Sequence, residues 1–364
     1  MDRAPVCFIN LDSLNVTPYF AHYKRLLTTP YDLIYWDRAG KEEDTGALNT
    51  HRFVKTVSNS SPIATLKDLA IGYLGFRQFA SKILSHAEYR IVVALTGNAA
   101  VLLGGVLKRR YAKRYIMDIR DYFLENLPPY RFAEQSVIDN AALALISSPA
   151  FVTFLGSHDF QVTHNAQMIE PNVVSDIKSR PRPGKPFVIA NIGTAKALDL
   201  DRKTIDYFAS DERFELRFIG RGFEALESYR DEKGARNVKI GGAFPSSQTT
   251  ALYQDVDAIL ATYGNARTHV RYALPNKLYF AAQLGLPLLV SPGTYLAQVV
   301  NENHLGMELN VEDPSAKDRI LALHDKTEPK RRNEGAEAFM RTVEKDNNCA
   351  FRKITAILDT ASSC

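Results

Sequence analysis

The sequence predicts an α/β protein made of two domains, each built on a parallel sheet. Short apolar runs alternate with helical segments along nearly the whole chain, which is the pattern of strands joined by crossover helices. A segment rich in proline and charge, 171–186, interrupts this alternation once. The 364 residues are enough to give each half its own core. We therefore place an N-terminal domain at 1–170, a linker at 171–186, a second domain at 187–335 and a mainly helical C-terminal segment at 336–364.

The composition is that of a soluble globular protein, with 45% hydrophobic and 24% charged residues. Lys and Arg exceed Asp and Glu by four (45 minus 41), an excess too small to indicate nucleic-acid binding. The three cysteines have no metal-ligand spacing and suit a reducing compartment. The apolar stretches do not fit a signal peptide or the ~20 residues of a membrane-spanning helix. We expect a cytoplasmic protein, with the inner face of the cell membrane as a further location if charge is clustered.

In the N-terminal half, apolar runs predict the strands of the first sheet. These runs are Val6–Leu11, Tyr31–Trp36, Ile91–Thr96, Tyr115–Ile119 and Leu143–Ser147. Ligands of parallel sheets bind beyond the carboxyl ends of the strands. Asp12, Arg120 and Asp121 fall at such ends and are therefore candidate site residues.

Two segments of this half leave open whether the protein contacts a membrane. Thr65–Leu84 has the periodicity of an amphipathic helix with a basic side, and it either packs against the sheet or lies on a membrane surface. Residues 108–114, KRRYAKR, close the helix that begins at Ala99. Their charge is either a solvated helix end or a contact for acidic lipid head groups.

In the second half, small-residue loops follow successive predicted strands. Gly193, Thr194 and Lys196 follow the strand Phe187–Ile192, and the later strands are followed by Gly220, Arg221 and Gly242. IGTAKA is not a Walker loop, and GRG lacks the third glycine of a dinucleotide fingerprint. Several such loops at one sheet edge would nevertheless let the backbone approach a nucleotide diphosphate closely.

Residues 271–291, RYALPNKLYFAAQLGLPLLVS, combine a loop, a helix start and a buried strand. Pro275 ends the loop, Asn276 is the expected N-cap, and Gly285 provides the left-handed turn that ends the helix. The N–H groups of the first turn, the helix dipole and the ammonium of Lys277 together favour a phosphate. The alternative is an ordinary capped helix whose lysine is solvated.

This segment resembles the donor-binding segment of family-four glycosyltransferases with the GT-B fold, especially those that build bacterial capsule and exopolysaccharide. The match is PNKLYF, 275–280, followed by AAQLGLP, 281–287; the family typically has PNKLYE, a small-residue turn and GxP. The resemblance implies two Rossmann-like domains facing across a cleft, with a nucleotide sugar on the second domain and the acceptor hydroxyl arriving from the first. It also implies retention of anomeric configuration and a C-terminal helix that packs back on the first domain.

The resemblance also implies roles for the candidate residues. Lys277, with the helix start at Asn276, would stabilise the departing diphosphate; Lys196 comes second, and Arg267 or Arg271 could close in from the preceding loop. The full donor-binding set is Gly193, Thr194, Lys196, Gly220, Arg221, Gly242, Arg271, Tyr272, Asn276 and Lys277. No DxD-type pair stands in a suitable place, so we expect no metal and no cofactor besides the nucleotide sugar as co-substrate.

On the acceptor side the candidates are Asp12, Arg120 and Asp121. Asp121 would orient or deprotonate the acceptor hydroxyl, together with Lys277 as the second catalytic residue. The alternative is a surface or ion-paired aspartate, with Arg120 as its partner. The expected partners are a nucleotide-diphosphate sugar, a lipid-linked or oligosaccharide acceptor and a peripheral membrane contact, and nucleic acid is not expected.

The sequence departs from the family at two places. The family commonly carries two glutamates separated by seven residues, and in this register they are Tyr272 and Phe280. The second glutamate contacts the ribose, and phenylalanine cannot accept that hydrogen bond. The first loop, DSLNVTPY, lacks the double glycine that often admits the donor phosphate.

Three hypotheses follow. The leading one is a glycosyltransferase that extends a lipid-linked bacterial surface polysaccharide. The second is a sugar-nucleotide epimerase, which would need paired carboxylates and histidine that the sequence does not place. The third is a non-catalytic GT-B partner subunit of an active transferase.

Overall fold

The computed structural model describes residues 4–58, 61–179, 186–325 and 327–361, which form two compact units. The first unit contains the described residues up to His164 and those from Lys345 onward, and the second runs from Asn165 to Glu344. Each unit is an α/β structure built on one parallel sheet.

The first unit is organised around a parallel sheet of seven strands, counted over the described residues. The strands are β1 Val6–Asn10, β2 Tyr31–Asp37, β3 Asn49–Val54, β4 Ile91–Ala94, β5 Tyr115–Ile119, β6 Leu143–Ile146 and β7 Phe160–Val162. Their order is β3-β2-β1-β4-β5-β6-β7, and every adjacent pair is parallel. The strand order therefore reverses between β1 and β4.

Helices connect these strands. They are α1 Phe20–Leu26, α2 Pro62–His86, α3 Gly97–Leu102, α4 Gly104–Arg110, α5 Pro128–Asn140 and α6 Val152–Leu155, with 3₁₀ turns at Leu14–Val16 and Pro149–Phe151. The central strands β1, β4, β5 and β6 are buried at every position, as expected of parallel strands covered on both faces.

The second unit repeats the plan with six strands among its described residues. The strands are β8 Phe187–Ile192, β9 Phe214–Ile219, β10 Val238–Gly241, β11 Ala258–Ala261, β12 Leu288–Val290 and β13 Gly306–Glu308. Their order is β10-β9-β8-β11-β12-β13, all parallel, so the reversal lies between β8 and β11. This is the strand order of a Rossmann fold.

The helices of this unit lie between its strands and after them. They are α7 Pro171–Ser179, α8 Leu198–Phe208, α9 Glu227–Glu232, α10 Thr268–Tyr272, α11 Asn276–Leu284, α12 Tyr295–Glu302, α13 Ala316–Ala322 and α14 Glu328–Asp359. Further 3₁₀ turns lie at Phe223–Leu226, Ser246–Gln248 and Ala251–Tyr253. Among the described residues no helix is long and apolar enough to span a bilayer.

Part of the segment expected to be a linker is helical. Residues 171–179 form α7, whose Ile177 is buried in the core of the second unit, while residues 180–185 lie outside the described part. At the other end of the chain, α14 begins in the second unit. Its last turns bury Ala350, Ile354 and Leu358 in the core of the first unit.

Candidate functional site

The side chain of Lys277 lies where the strand order of the second sheet reverses. Lys277 is the second residue of α11, and its side chain is buried. Its ammonium donates to the Asn191 Oδ1 on β8 and, at 3.0 Å, to the carbonyl of Leu260 on β11. Open α/β sheets bind their ligands outside the carboxyl ends of the strands at such a reversal. The lysine is therefore placed at the position where this fold binds ligands.

A buried carboxylate lies behind this lysine. Asn191 Nδ2 donates to the Oδ1 of Asp201 on α8 at 3.0 Å, so one amide joins Asp201 and Lys277. Burial lowers the pKa of Lys277 to about 7, an effect that Asp201 opposes and Lys196 reinforces. Burial raises the pKa of Asp201 to about 6, against the effect of Lys277 and of the Asn191 hydrogen bond. Both groups thus change charge near neutral pH.

Two ammonium groups converge on the ring of Tyr263. The Nζ of Lys277 lies 5.3 Å from the ring centroid, and the Nζ of the exposed Lys196 lies 5.9 Å from it. In the described part of the chain neither ammonium has a carboxylate within 4.0 Å. The neighbouring Thr262 has a buried hydroxyl oxygen with no hydrogen-bond partner among the described residues. Two ammonium groups thus lie near one tyrosine ring, next in the sequence to a threonine with an unengaged hydroxyl oxygen.

The glycines at the ends of β8 and β9 keep the backbone close and the surface open. Gly193 and Gly220 have φ of 134° and 135°, which side-chain-bearing residues rarely adopt. A Cβ on Gly220 would lie 1.7 Å from the carbonyl oxygen of Gly193, so these two loops can be adjacent only with glycine at 220. A Cβ on Gly193 would meet nothing within 4 Å. Space therefore remains above β8, two residues from Asn191.

The expectation that Asn276 caps α11 is wrong. Pro275 occupies the N-cap position, no side chain caps the helix there, and Asn276 is its first residue. The Asn276 Oδ1 instead accepts from Asn165 Nδ2 at 2.9 Å, and the Oδ1 of Asn165 is buried without a hydrogen-bond partner among the described residues. The amide thus fastens the start of α11 to the segment that follows His164.

The remaining donor-side candidates lie in the loops that follow β8, β9 and β10 and on the short helix α10. Arg271 is exposed, and its Nε donates to the carbonyl of Asn265 at 2.9 Å, so it is held within its own loop. Thr194, Arg221 and Gly242 are exposed, and Tyr272, on the short helix α10, is half-buried. None of these residues is hydrogen-bonded to the Lys277 ammonium, which donates to Asn191 and Leu260.

Phe280, at the position of the family's second glutamate, is part of the core. It is 8% exposed, and its ring lies 5.5 Å from that of Tyr253. A ribose hydroxyl therefore finds no acceptor on this side chain.

On the first unit, Arg120 pairs with Asp118 and not with Asp121. Its Nε lies 2.6 Å from Asp118 Oδ1, and a second nitrogen donates to Asp118 Oδ2 at 2.7 Å. The guanidinium also donates to the carbonyl of Thr163 and lies 4.2 Å from the ring of Tyr19. The pairing of Asp121 with Arg120 is therefore wrong, whereas the surface position in the same alternative agrees with the exposure of Asp121.

The other two acceptor-side candidates remain accessible. Asp121 is exposed, with no hydrogen bond or ion pair to another described residue. Asp12 is partly exposed and lies 3.8 Å from Arg38. Of the three candidates, Asp121 alone offers a carboxylate that no described group engages.

Sequence reasoning missed Asn191, Asp201 and Tyr263. Asn191 could have been found, because it is a polar residue inside FVIANI, an otherwise apolar run of the kind that forms central parallel strands. The sequence does not single out Asp201, because the exposed Asp199 lies two residues before it in the same polar stretch. Tyr263 follows a strand directly, but nothing local shows that two lysines meet at its ring.

No protein-family model matches the sequence, and no curated protein matches it. Solved structures do resemble it. HepE from Anabaena in complex with UDP-glucose has a TM-score of 0.63 at 14% identity, covering 99% of this chain and 100% of that chain. The lipopolysaccharide outer core galactosyltransferase WaaB has a TM-score of 0.63 at 15% identity, covering 98% and 99%. A glycosyltransferase from Rickettsia africae ESF-5 has a TM-score of 0.66 at 11% identity over 100% of both chains. With its two parallel Rossmann-like sheets, the chain has the fold of these GT-B glycosyltransferases.

Proposed function

We propose that the protein is a glycosyltransferase that moves a hexosyl group from a nucleotide-diphosphate sugar to a saccharide acceptor. The observation that carries the proposal is the convergence of Lys196 and Lys277 on Tyr263 at the strand reversal of the second sheet. Two cations that lack a carboxylate partner favour an anion with more than one charge. A diphosphate meets this requirement.

The same groups suit the chemistry of the transfer. Charge builds on the diphosphate as the bond to the sugar breaks, and fixed cations stabilise that charge without reorganising. Lys277 has three N–H groups, of which two are engaged by Asn191 and Leu260. We propose that the third donates to a phosphate oxygen; a Cβ on Gly193 would meet nothing within 4 Å, so the loop that follows β8 is open at this point.

Two further lines support the proposal. The segment PNKLYF resembles the donor-binding segment of family-four glycosyltransferases. Proteins of the same fold include HepE with bound UDP-glucose and the galactosyltransferase WaaB. We extend the proposal to a retaining, metal-independent transfer that uses no cofactor beyond the nucleotide sugar, with Asp121 orienting or deprotonating the acceptor hydroxyl.

We further propose that the acceptor is lipid-linked, in bacterial capsule or exopolysaccharide synthesis, and that the protein acts at the cytoplasmic face of the membrane. Helix α2 supports this, because Phe76 on one side is buried while Ile63, Leu66 and Leu74 are 82%, 70% and 61% exposed. The basic residues Lys67 and Arg77 are exposed among them. A face with apolar and basic residues suits an anionic lipid surface.

Vesicle sedimentation tests the membrane contact. The protein should bind vesicles that contain phosphatidylglycerol more strongly than neutral phosphatidylcholine vesicles, and Leu66→Ser should weaken that binding. No sedimentation with phosphatidylglycerol vesicles would remove the membrane from the proposal.

Calorimetry with UDP, GDP, dTDP and their glucose and galactose conjugates tests the donor. At least one nucleotide should bind, and Lys277→Ala should lower turnover by about 10²–10³-fold while the fold is retained. The matched control is Lys203→Ala, an exposed lysine on α8. Unchanged activity in Lys277→Ala would refute the assigned role.

A non-catalytic partner subunit is the second candidate, and Phe280 favours it. The family's ribose-contacting glutamate is replaced by a ring packed on Tyr253. The two candidates are separated by the same panel: binding with turnover supports the transferase, and no binding by any nucleotide supports the partner subunit.

A further inference from the structure

The buried carboxylate of Asp201 has no role in the proposal above. Asp201 is 1% exposed and lies in the first turns of α8, where burying an acid is costly unless it is paired. It accepts a hydrogen bond from the Nδ2 of Asn191, and the Oδ1 of the same amide accepts from the Lys277 ammonium. The amide carries the two interactions in opposite directions, with its NH₂ towards the carboxylate and its oxygen towards the cation.

We propose that Asp201 is a positioning residue for Lys277: acting through Asn191, it holds the ammonium at the strand reversal and keeps it charged for a diphosphate. This inference rests on the proposed function. Asp201 touches no substrate in this scheme, and its effect reaches the ligand only through the lysine.

The surroundings of Lys277 explain why it needs this support. The charged and titratable groups that face it are Asp201 from α8, Lys196 from the loop after β8 and Tyr263 from the loop after β11. Asn191 and the Leu260 carbonyl are neutral. Burial and Lys196 both disfavour the charged amine, whereas the negative charge of Asp201 favours it.

Removing the carboxylate should therefore change the pH range of diphosphate binding. Asp201→Asn keeps the shape and the hydrogen bond from Asn191 but removes the charge. If the pKa of Lys277 falls by one unit, the affinity for a nucleoside diphosphate at pH 8 falls about tenfold. Near pH 6 the difference in affinity should shrink to about twofold, because the lysine is then mostly protonated in the wild type and about half protonated in the variant.

The experiment is calorimetric titration of the full chain with UDP and GDP at pH 6, 7, 8 and 9, in two buffers that differ in ionisation enthalpy. The buffer pair gives the protons taken up on binding. At pH 7 Asp201→Asn should take up more protons per nucleotide than the wild type and bind more weakly. A role confined to packing would leave the proton uptake unchanged.

The matched control is Asp199→Asn. Asp199 lies two residues before Asp201 on the same helix, but its side chain is 95% exposed and pairs with Arg202 at 3.0 Å. Its pH profile and proton uptake should equal those of the wild type. Coincident profiles for Asp201→Asn and the wild type would overturn the inference.

A second measurement keeps the inference separate from the proposed function. If the wild type binds neither nucleotide, the donor proposal fails for these probes, and the inference is decided by nuclear magnetic resonance. The Cε–Hε signal of Lys277 in lysine-labelled protein, assigned with Lys277→Met, reports the pKa of the amine. It should fall in Asp201→Asn, and an equal pKa in both proteins overturns the inference.

If Asp201→Asn fails to fold, Asp201→Ser removes the same negative charge with a smaller side chain that keeps a hydrogen-bonding oxygen. The pKa of Lys277 should again fall. An unchanged pKa would overturn the inference.

Discussion

The two sheets share a strand order over their first six strands, but the charges at their carboxyl edges are arranged in opposite ways. In the first unit, two buried aspartates are paired with arginines. Arg120 lies 2.6 Å from Asp118, and Arg52 lies 2.6 Å from Asp37. In the second unit, Lys277 donates only to neutral oxygens, and the nearest buried carboxylate is one amide away.

Under the proposed function, the paired charges of the first unit belong to the fold, whereas the ammonium of Lys277 would be neutralised by a ligand. In a buried ion pair each charge neutralises the other. Removing one partner lowers stability, because the remaining charge is left without a partner. A buried cation that lacks a counterion already disfavours the folded state, and an anion from outside can offset that cost. We therefore expect substitutions in the first unit to lower stability, and substitutions around Lys277 to lower binding.

The largest effect on stability should come from Arg120→Met. It leaves Asp118, which is fully buried and also accepts from Tyr23 at 2.7 Å, without its cation. The free energy of unfolding should fall by about 3–5 kcal/mol, measured by denaturant titration. Arg109→Met, at an exposed arginine of α4, should stay within about 0.5 kcal/mol of the wild type. Unchanged stability with lost turnover would instead place Arg120 in the acceptor chemistry and break the comparison.

Two glycine substitutions sharpen the comparison within the second unit. Gly220→Ala should lower the free energy of unfolding by about 2–4 kcal/mol, because its methyl group meets the Gly193 backbone and adds to the backbone strain. Gly193→Ala should cost only the strain, about 1–3 kcal/mol, but its methyl group enters the open space above β8 and should weaken nucleotide binding. Thermal unfolding and calorimetry measure the two effects, and the reverse ranking for binding would place the ligand elsewhere.

The strands and glycine loops could be predicted from the sequence because their causes are local. An apolar run such as FVIANI specifies a buried strand, and the glycine after it specifies the turn. The α/β class, the parallel sheets and the position of Lys277 in the first turn of α11 were predictable for the same reason.

The side-chain contacts of Asn276 and Lys277 are not local, and they were missed. Asn276 is not the helix cap, because its amide is engaged by Asn165, 111 residues away in the sequence. The pairing of Arg120 was predictable in principle, since residues two apart on a strand point to the same face, and that residue is Asp118. The chain of contacts from Lys277 to Asp201 depends on three separate elements that only the folded sheet brings together.

Glu134 on α5 is a buried carboxyl group of the first unit that has no hydrogen-bond partner among the described residues. Burial, with the nearby Glu125, raises its pKa to about 8. The native state therefore binds an extra proton, and the stability it contributes is complete below about pH 4.5 and is lost as the pH rises towards 8. Glu134→Gln should flatten this dependence and raise the free energy of unfolding at pH 8 by about 1–3 kcal/mol. Glu88→Gln, at an exposed position, should leave the dependence unchanged, and an equally steep profile in Glu134→Gln would contradict the assignment.

The smallest effect should come from Lys196→Met, which removes the exposed cation beside Tyr263. The affinity for a nucleoside diphosphate should fall about tenfold, which corresponds to about 1.4 kcal/mol, and the free energy of unfolding should not change. Because Lys196 is exposed, the loss should shrink in 0.5 M salt, whereas the loss in Lys277→Ala, at a buried site, should persist. Lys203→Met is the control for charge alone. If the affinity loss in both lysine variants responds equally to salt, burial does not distinguish the two cations. The contrast between the two sheets is then only a difference in net charge.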